Sequence, residues 1–170
     1  MKYKKVAIEN IRENPFTMFS QDWALLSAGD RQSFNSMTVS WGSAGTLWGK
    51  PVATVYVRPQ RYTLEFLQKN DLFTLSFFTP QQHGQLAPFG SKSGRDCDKY
   101  ALAGMQPQFT GGTVFADGAR LVLVCRKMSC QHMTPDSFID GDIDTLWYPN
   151  RDYHQVIVGE VLEVLVQDAE

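Results

Sequence analysis

The chain has 170 residues, 43% of them hydrophobic, which is enough for one compact domain with its own core and too little for two of ordinary size. Its 16 basic and 18 acidic residues leave a formal charge of -2 and no basic run that could follow a polyanion, so neither nucleic acid nor an anionic membrane is expected as a partner. The lysines among the first ten residues have no apolar stretch behind them, so neither a signal peptide nor a membrane span is predicted and the expected location is the cytoplasm.

Apolar runs of strand length recur along the chain: Trp23 to Ala28, Ser36 to Trp41, Val52 to Val57, Leu72 to Phe78, Leu121 to Cys125 and Val156 to Val166. Most are β-branched or aromatic-rich and bounded by Gly, Pro or Asp, which predicts a mainly β fold with short helices, its sheet closed into a small barrel. Within Ala53-Thr-Val-Tyr-Val-Arg58 the alternation puts Ala53, Val55 and Val57 on one face and Thr54, Tyr56 and Arg58 on the other. Leu64 and Leu67 then stand at helical spacing, which predicts a short helix capped by Thr63 and stopped by Asn70-Asp71. From Thr79 to Thr113 the chain is rich in Pro, Gln, Gly and Ser, and this stretch is expected to be a long functional loop with one short helix at most.

Two segments carry candidate chemistry. In Arg58-Pro-Gln-Arg-Tyr-Thr63 a strand end, two guanidinium forks, a hydroxyl and the N–H donors of a helix start come together, and that combination suits a phosphate monoester. Two solvated arginines beside an ordinary turn would give the same pattern, so the segment alone leaves both readings open. In Asn35-Ser-Met-Thr-Val-Ser-Trp-Gly-Ser-Ala-Gly45 a strand with small hydroxyls runs into a Gly- and Ser-rich bend. It can offer backbone groups to a flat heterocycle, with Met37 and Trp41 as apolar contacts, or be a plain hairpin.

The three cysteines, Cys97, Cys125 and Cys130, form no CxxC pair and are expected as free thiols, with Cys125 a buried, inert one. Cys125, Cys130 and His132 match no common structural zinc spacing, and no metal is expected. The glycines of Gly90-Ser-Lys-Ser-Gly94 lack P-loop spacing, because Lys92 lies between them.

Taken in order, Asn35-Ser-Met-Thr-Val-Ser-Trp-Gly42, Lys50-Pro-Val52, Val57-Arg-Pro-Gln-Arg-Tyr-Thr63, Gly90-Ser-Lys-Ser-Gly-Arg-Asp-Cys-Asp-Lys99, Leu123-Val-Cys-Arg126 and Asp152-Tyr-His-Gln-Val-Ile-Val-Gly-Glu160 resemble the flavin reductase and flavoredoxin family. The resemblance covers nearly the whole chain and implies a single FMN-binding split β-barrel over residues 1–170. It implies that Met37, Thr38, Val39, Ser40 and Trp41 border the isoalloxazine ring, that Arg58, Arg61, Tyr62 and Thr63 hold the ribityl phosphate, and that Lys99 is a further cofactor contact. By the same resemblance His154 lies near the flavin, where it would orient nicotinamide or donate a proton; a single structural hydrogen bond is the alternative. The implied activity is an NAD(P)H-dependent flavin reductase, with NADH or NADPH as transient donor. The alternatives are a flavoredoxin-like electron carrier serving a protein acceptor and, last, a flavin-binding module. A homodimer is implied by resemblance alone.

Overall fold

The structure, a computed structural model, describes residues 2–168. Among the described residues, ten strands and five short helices make a mainly β, single-domain molecule, as the apolar runs predict. The strands are β1 (Tyr3–Val6), β2 (Ala24–Gly29), β3 (Phe34–Val39), β4 (Gly42–Leu47), β5 (Lys50–Val57), β6 (Leu72–Phe77), β7 (Pro107–Thr110), β8 (Thr113–Ala116), β9 (Leu121–His132) and β10 (Gln155–Gln167). The helices are α1 (Pro15–Met18), α2 (Thr63–Lys69), α3 (His83–Ser91), α4 (Lys99–Ala103) and α5 (Gly141–Trp147).

Seven strands form an antiparallel path β3-β2-β6-β9-β10-β5-β4, with β1 pairing on β10, and β7 and β8 make a separate hairpin. β10 is the spine: its first half pairs with β5, its last residues with β1, and β9 follows it throughout. Register shifts between Val158 and Gly159 and between Val161 and Glu163 interrupt the β9 pairing, and such bulges sharpen the bend of a curling sheet. Gly159 is required at the first, since a Cβ there would stand 2.5 Å from the Phe73 ring.

Two cores share the central strands. Inside the barrel pack Leu26, Val55, Val57, Phe73, Leu75, Phe77, Leu123 and Ile157, all 2% exposed or less. Ala53, Val55 and Val57 are the buried face of β5, as the alternation predicts, while Thr54, Tyr56 and Arg58 are half-buried. On the outer face, Leu25 of β2 and Val122 and Val124 of β9 are covered by Leu86 and Phe89 of α3, Tyr100 of α4 and Phe115 of β8.

That outer layer corrects the reading of Thr79 to Thr113 as a long loop. The segment holds two helices and a strand, and Gly84, Pro88 and Gly90, which read as breakers, lie inside α3. The burial of Leu86 and Phe89 overrides the poor helix propensity of Gly84, Pro88 and Gly90. α4 is capped by Asp98, whose Oδ1 accepts from the N–H of Tyr100 and Ala101, and ends at Gly104 with φ +64°. A second correction concerns Thr63, which is the first residue of α2 and not its cap. Its hydroxyl accepts instead from Asn35 Nδ2 at 2.8 Å, tying the helix start to β3. A third concerns the Gly- and Ser-rich stretch after Trp41, which continues as the edge strand β4.

Candidate functional site

The end of β3, the end of β5 and the start of α2 converge at one side of the barrel, and two adjoining depressions open there. The first, about 310 Å³, is lined by Met37, Thr38, Val39, Ser40 and Trp41, by Tyr56, Arg58 and Arg61, and by Trp147 and His154. The second, about 180 Å³, is lined by Asn35, Met37, Gln60, Arg61, Tyr62, Thr63, Ser91, Lys92, Ser93 and Lys99. Met37 and Arg61 belong to both and form the wall between them. All eleven residues singled out from sequence line one depression or the other.

The second depression has the chemistry of an anion cradle. Arg61 spans its upper wall, its guanidinium donating to the carbonyl of Gly90 at 3.0 Å and, more weakly, to that of Phe89. Lys99 is 5% exposed and donates to the carbonyl of Ser36. Burial and the positive charge of Arg61 push its ammonium down from 10.5 to about 8, and burial also lowers Arg61. Among the described residues, no carboxylate lines this depression. Two partly desolvated cations facing one another without a counter-charge are electrostatically incomplete, and a phosphate would complete them. The close fit of the loop around it leaves Gly94 no side chain, since a Cβ would meet Asn35 Oδ1 at 2.2 Å.

The first depression is aromatic and differently charged. The ring centroids of Trp41 and Trp147 lie 5.0 Å apart edge to face, and Trp41 is 5.2 Å from His154. Arg58 is the cation here, and the structure thereby divides the Arg58 to Thr63 segment: Arg61, Tyr62 and Thr63 line the cradle, whereas Arg58 faces the aromatic side only. Its guanidinium pairs with Asp152 and donates to the carbonyl of Trp147 at 2.9 Å, and Gln60 Nε2 donates to the same carboxylate at 2.7 Å. The Gln60 and Arg58 hydrogen bonds hold the Asp152 carboxyl below its usual range.

His154 is 6% exposed, and its Nδ1 shares a 2.8 Å hydrogen bond with the Tyr148 hydroxyl. Burial, then the charge of Arg58, push its pKa down from 6.5 to about 4. The imidazole is therefore neutral at pH 7, which argues against proton donation as imidazolium. Where the Tyr148 hydroxyl donates to Nδ1, Nε2 carries the ring's hydrogen as a neutral donor; where it donates to Met133 Sδ, at 3.7 Å, Nδ1 donates to the hydroxyl and Nε2 accepts.

Sequence reasoning passed over Tyr56, Gln60, Trp147, Tyr148 and Asp152 as individual site residues. Tyr56 lies in the run from Ala53 to Arg58 and Gln60 in the run from Arg58 to Thr63, so their place at the end of β5 is the signal that points to them. Trp147 and Tyr148 belong to the flap that runs from Met133 to Tyr153, where α5 buries no residue and so leaves no periodic signal. Cys125 is fully buried and burial raises its thiol, while Cys130 is exposed on the same strand. No helix among the described residues is long and apolar enough to cross a membrane.

The flavin reductase like domain family matches residues 16–170 of the chain. No curated protein is significantly similar to it in sequence. Among solved structures, the chain is similar to the FMN-binding domain of a flavin reductases-like enzyme from Shewanella baltica, with a TM-score of 0.67, 19% identity, and 97% of this chain and 77% of that one covered. It is equally similar to flavoredoxin from Methanosarcina acetivorans, with a TM-score of 0.67, 21% identity and coverage of 94% and 75%. The putative flavin reductase with split barrel domain from Shewanella frigidimarina gives a TM-score of 0.68 at 18% identity, covering 95% and 77%. The fold is thus the split barrel of these proteins, and the chain belongs to the flavin reductase like domain family.

Proposed function

We propose that the chain binds FMN across the two depressions and acts as an NAD(P)H-dependent flavin reductase. The observation that carries this reading is the junction of an aromatic depression with an uncompensated cationic cradle through a common wall, Met37 and Arg61. Arg61, Lys99, Thr63, Ser91 and Ser93 would hold the phosphate, and Met37 to Trp41 would border the ring. Bound FMN would supply the two-electron chemistry, hydride acceptance from NADH or NADPH and delivery to an acceptor. The chain's own residues position and polarise. Asp152 and Gln60 fix Arg58, Tyr148 fixes the ring of His154, and neutral His154 offers a hydrogen bond without placing a second charge beside Arg58.

The competing reading is a flavoredoxin-like carrier that exchanges electrons with a protein partner, and the likeness to a flavoredoxin supports it. Anaerobic addition of NADH or NADPH to the yellow protein separates the two. Rapid bleaching of the flavin band by the nucleotide is expected; bleaching by dithionite alone would replace the reductase with the carrier. A homodimer in the cytoplasm completes the proposal, checked by sedimentation and by fractionation of cells.

A further inference from the structure

A larger cavity, about 890 Å³, adjoins the aromatic depression on its far side. It lies between Pro15, Phe16 and Phe19, the start of β4 at Gly42 to Ala44, and the flap at Phe138, Ile139 and Ile143. Its volume is in the range of small-molecule sites. Ser40, Trp41 and Tyr56 line both spaces, and Tyr148, in the wall of the larger, bonds His154 in the smaller. The larger cavity is thus built against the side of the proposed redox centre.

Its chemistry points to an uncharged guest. Among the described residues, no Lys, Arg or His lines it, and its one charged residue, Asp140, is engaged in capping α5 by accepting from the N–H of Asp142 at 3.1 Å. The phosphates of a dinucleotide would find no cation there and one carboxylate. At the rim, Phe16 is 85% exposed and Ile139 fully exposed, apolar surface that an apolar guest would remove from water. Tyr56 and Ser40 line both spaces, neither hydroxyl takes part in a hydrogen bond among the described residues, and both can donate to a carbonyl oxygen.

We propose that this cavity binds a neutral, flat, carbonyl-bearing aromatic molecule of one or two rings, a quinone, as the chain's organic electron acceptor. The proposal rests on the reading of the chain as an FMN-dependent oxidoreductase. The overall exchange balances: NAD(P)H, a proton and the quinone give NAD(P)⁺ and the hydroquinone, with one hydride and one proton forming the two new O–H bonds through transfer of two electrons.

The test reads binding to the flavin-free protein, separately from turnover. Menadione, a neutral naphthoquinone, and its sulfonated analogue are titrated against tryptophan fluorescence and by calorimetry. One menadione per chain is expected, with the sulfonate at least tenfold weaker. Ile143→Glu puts a charge in the wall on a helix that buries no residue, and Ala44→Trp fills the space from β4; each should weaken menadione at least tenfold. Equal binding of the sulfonate, or menadione binding that ignores both substitutions, would overturn the proposal. So would absent binding together with a dimer that Ile143→Glu converts to monomer, since a second copy would then occupy the cavity. A parallel FMN titration keeps the two readings apart. Menadione binding without any FMN binding would remove the reductase and with it the acceptor role, whereas FMN binding without menadione would remove this proposal alone.

Discussion

The two depressions that share Met37 and Arg61 are built in opposite ways. The cationic cradle is set by hydrogen bonds between regular elements: Thr63 to Asn35, Arg61 to the end of α3, and Lys99 to β3, with Thr63, Asn35 and Lys99 all buried. The aromatic side depends on a flap whose helix buries nothing and whose Trp147 is 51% exposed. Rigid elements suit a group that must stay, and a flap that meets the barrel through ring contacts and a few hydrogen bonds suits one that must come and go. The contrast also runs in charge, since one side keeps two cations unpaired and the other compensates its arginine with a carboxylate and keeps its histidine neutral.

The largest effect expected from this contrast is on stability in acid. The unfolded histidine titrates near 6.5 and the folded one near 4, so the folded state resists a proton that the unfolded state takes up. Stability should therefore fall as pH drops from about 6.5 to 4, by up to about 3 kcal/mol from His154. Urea titrations across that range should show the loss, and His154→Gln should flatten that part of it.

Next come the cofactor contacts. Arg61→Ala should weaken FMN by about 1.5–3 kcal/mol, as the loss of a charged hydrogen bond does, while Trp147→Ala should change FMN affinity by less than about 1 kcal/mol. Calorimetry checks both. A larger loss at Trp147 than at Arg61 would invert the comparison between anchored and exchanging sides. Because Arg58 faces the aromatic depression, Arg58→Ala is expected to affect NADH oxidation more than FMN binding, and the reverse result would return Arg58 to the phosphate.

A smaller effect tests the uncompensated cations directly. Lys99 in the cradle loses its proton near pH 8, and a bound phosphate would hold that proton on. FMN affinity should thus decline above pH 8 by up to about tenfold per unit, and Lys99→Met should bind weakly but without that slope. The smallest change is expected at Tyr148→Phe, which removes one hydrogen bond to His154 and should lower stability by about 1 kcal/mol in thermal unfolding.

What was legible in the sequence follows from how each part is stabilised. β5 and α2 announce themselves because one face of each is buried, which imprints a period on the chain, and the Arg58 to Thr63 segment sits where those periods change. α3 hides because tertiary burial of Leu86 and Phe89 outweighs Gly84, Pro88 and Gly90. β4 hides because an exposed edge strand of Gly, Ser, Ala and Thr carries no alternation. The flap is illegible for the same reason: Trp147 and Tyr148 meet Trp41 and His154 across more than a hundred residues or at a turn, and no local pattern encodes such meetings. The split of Arg58 from Arg61 likewise depends on Asp152, nearly a hundred residues away.

The outer layer of α3 and α4 has one more consequence. These helices and the turn between them present Ser91, Lys92, Ser93 and Lys99 to the cradle, and the helices also roof the outward face of β2 and β9. Local opening of that layer would therefore strip the anion of its ligands and wet Leu25, Val122 and Val124 in the same event. A ligand held in the cradle must oppose the opening by mass action, so protease nicking between Thr79 and Gly104 becomes a gauge of cofactor occupancy.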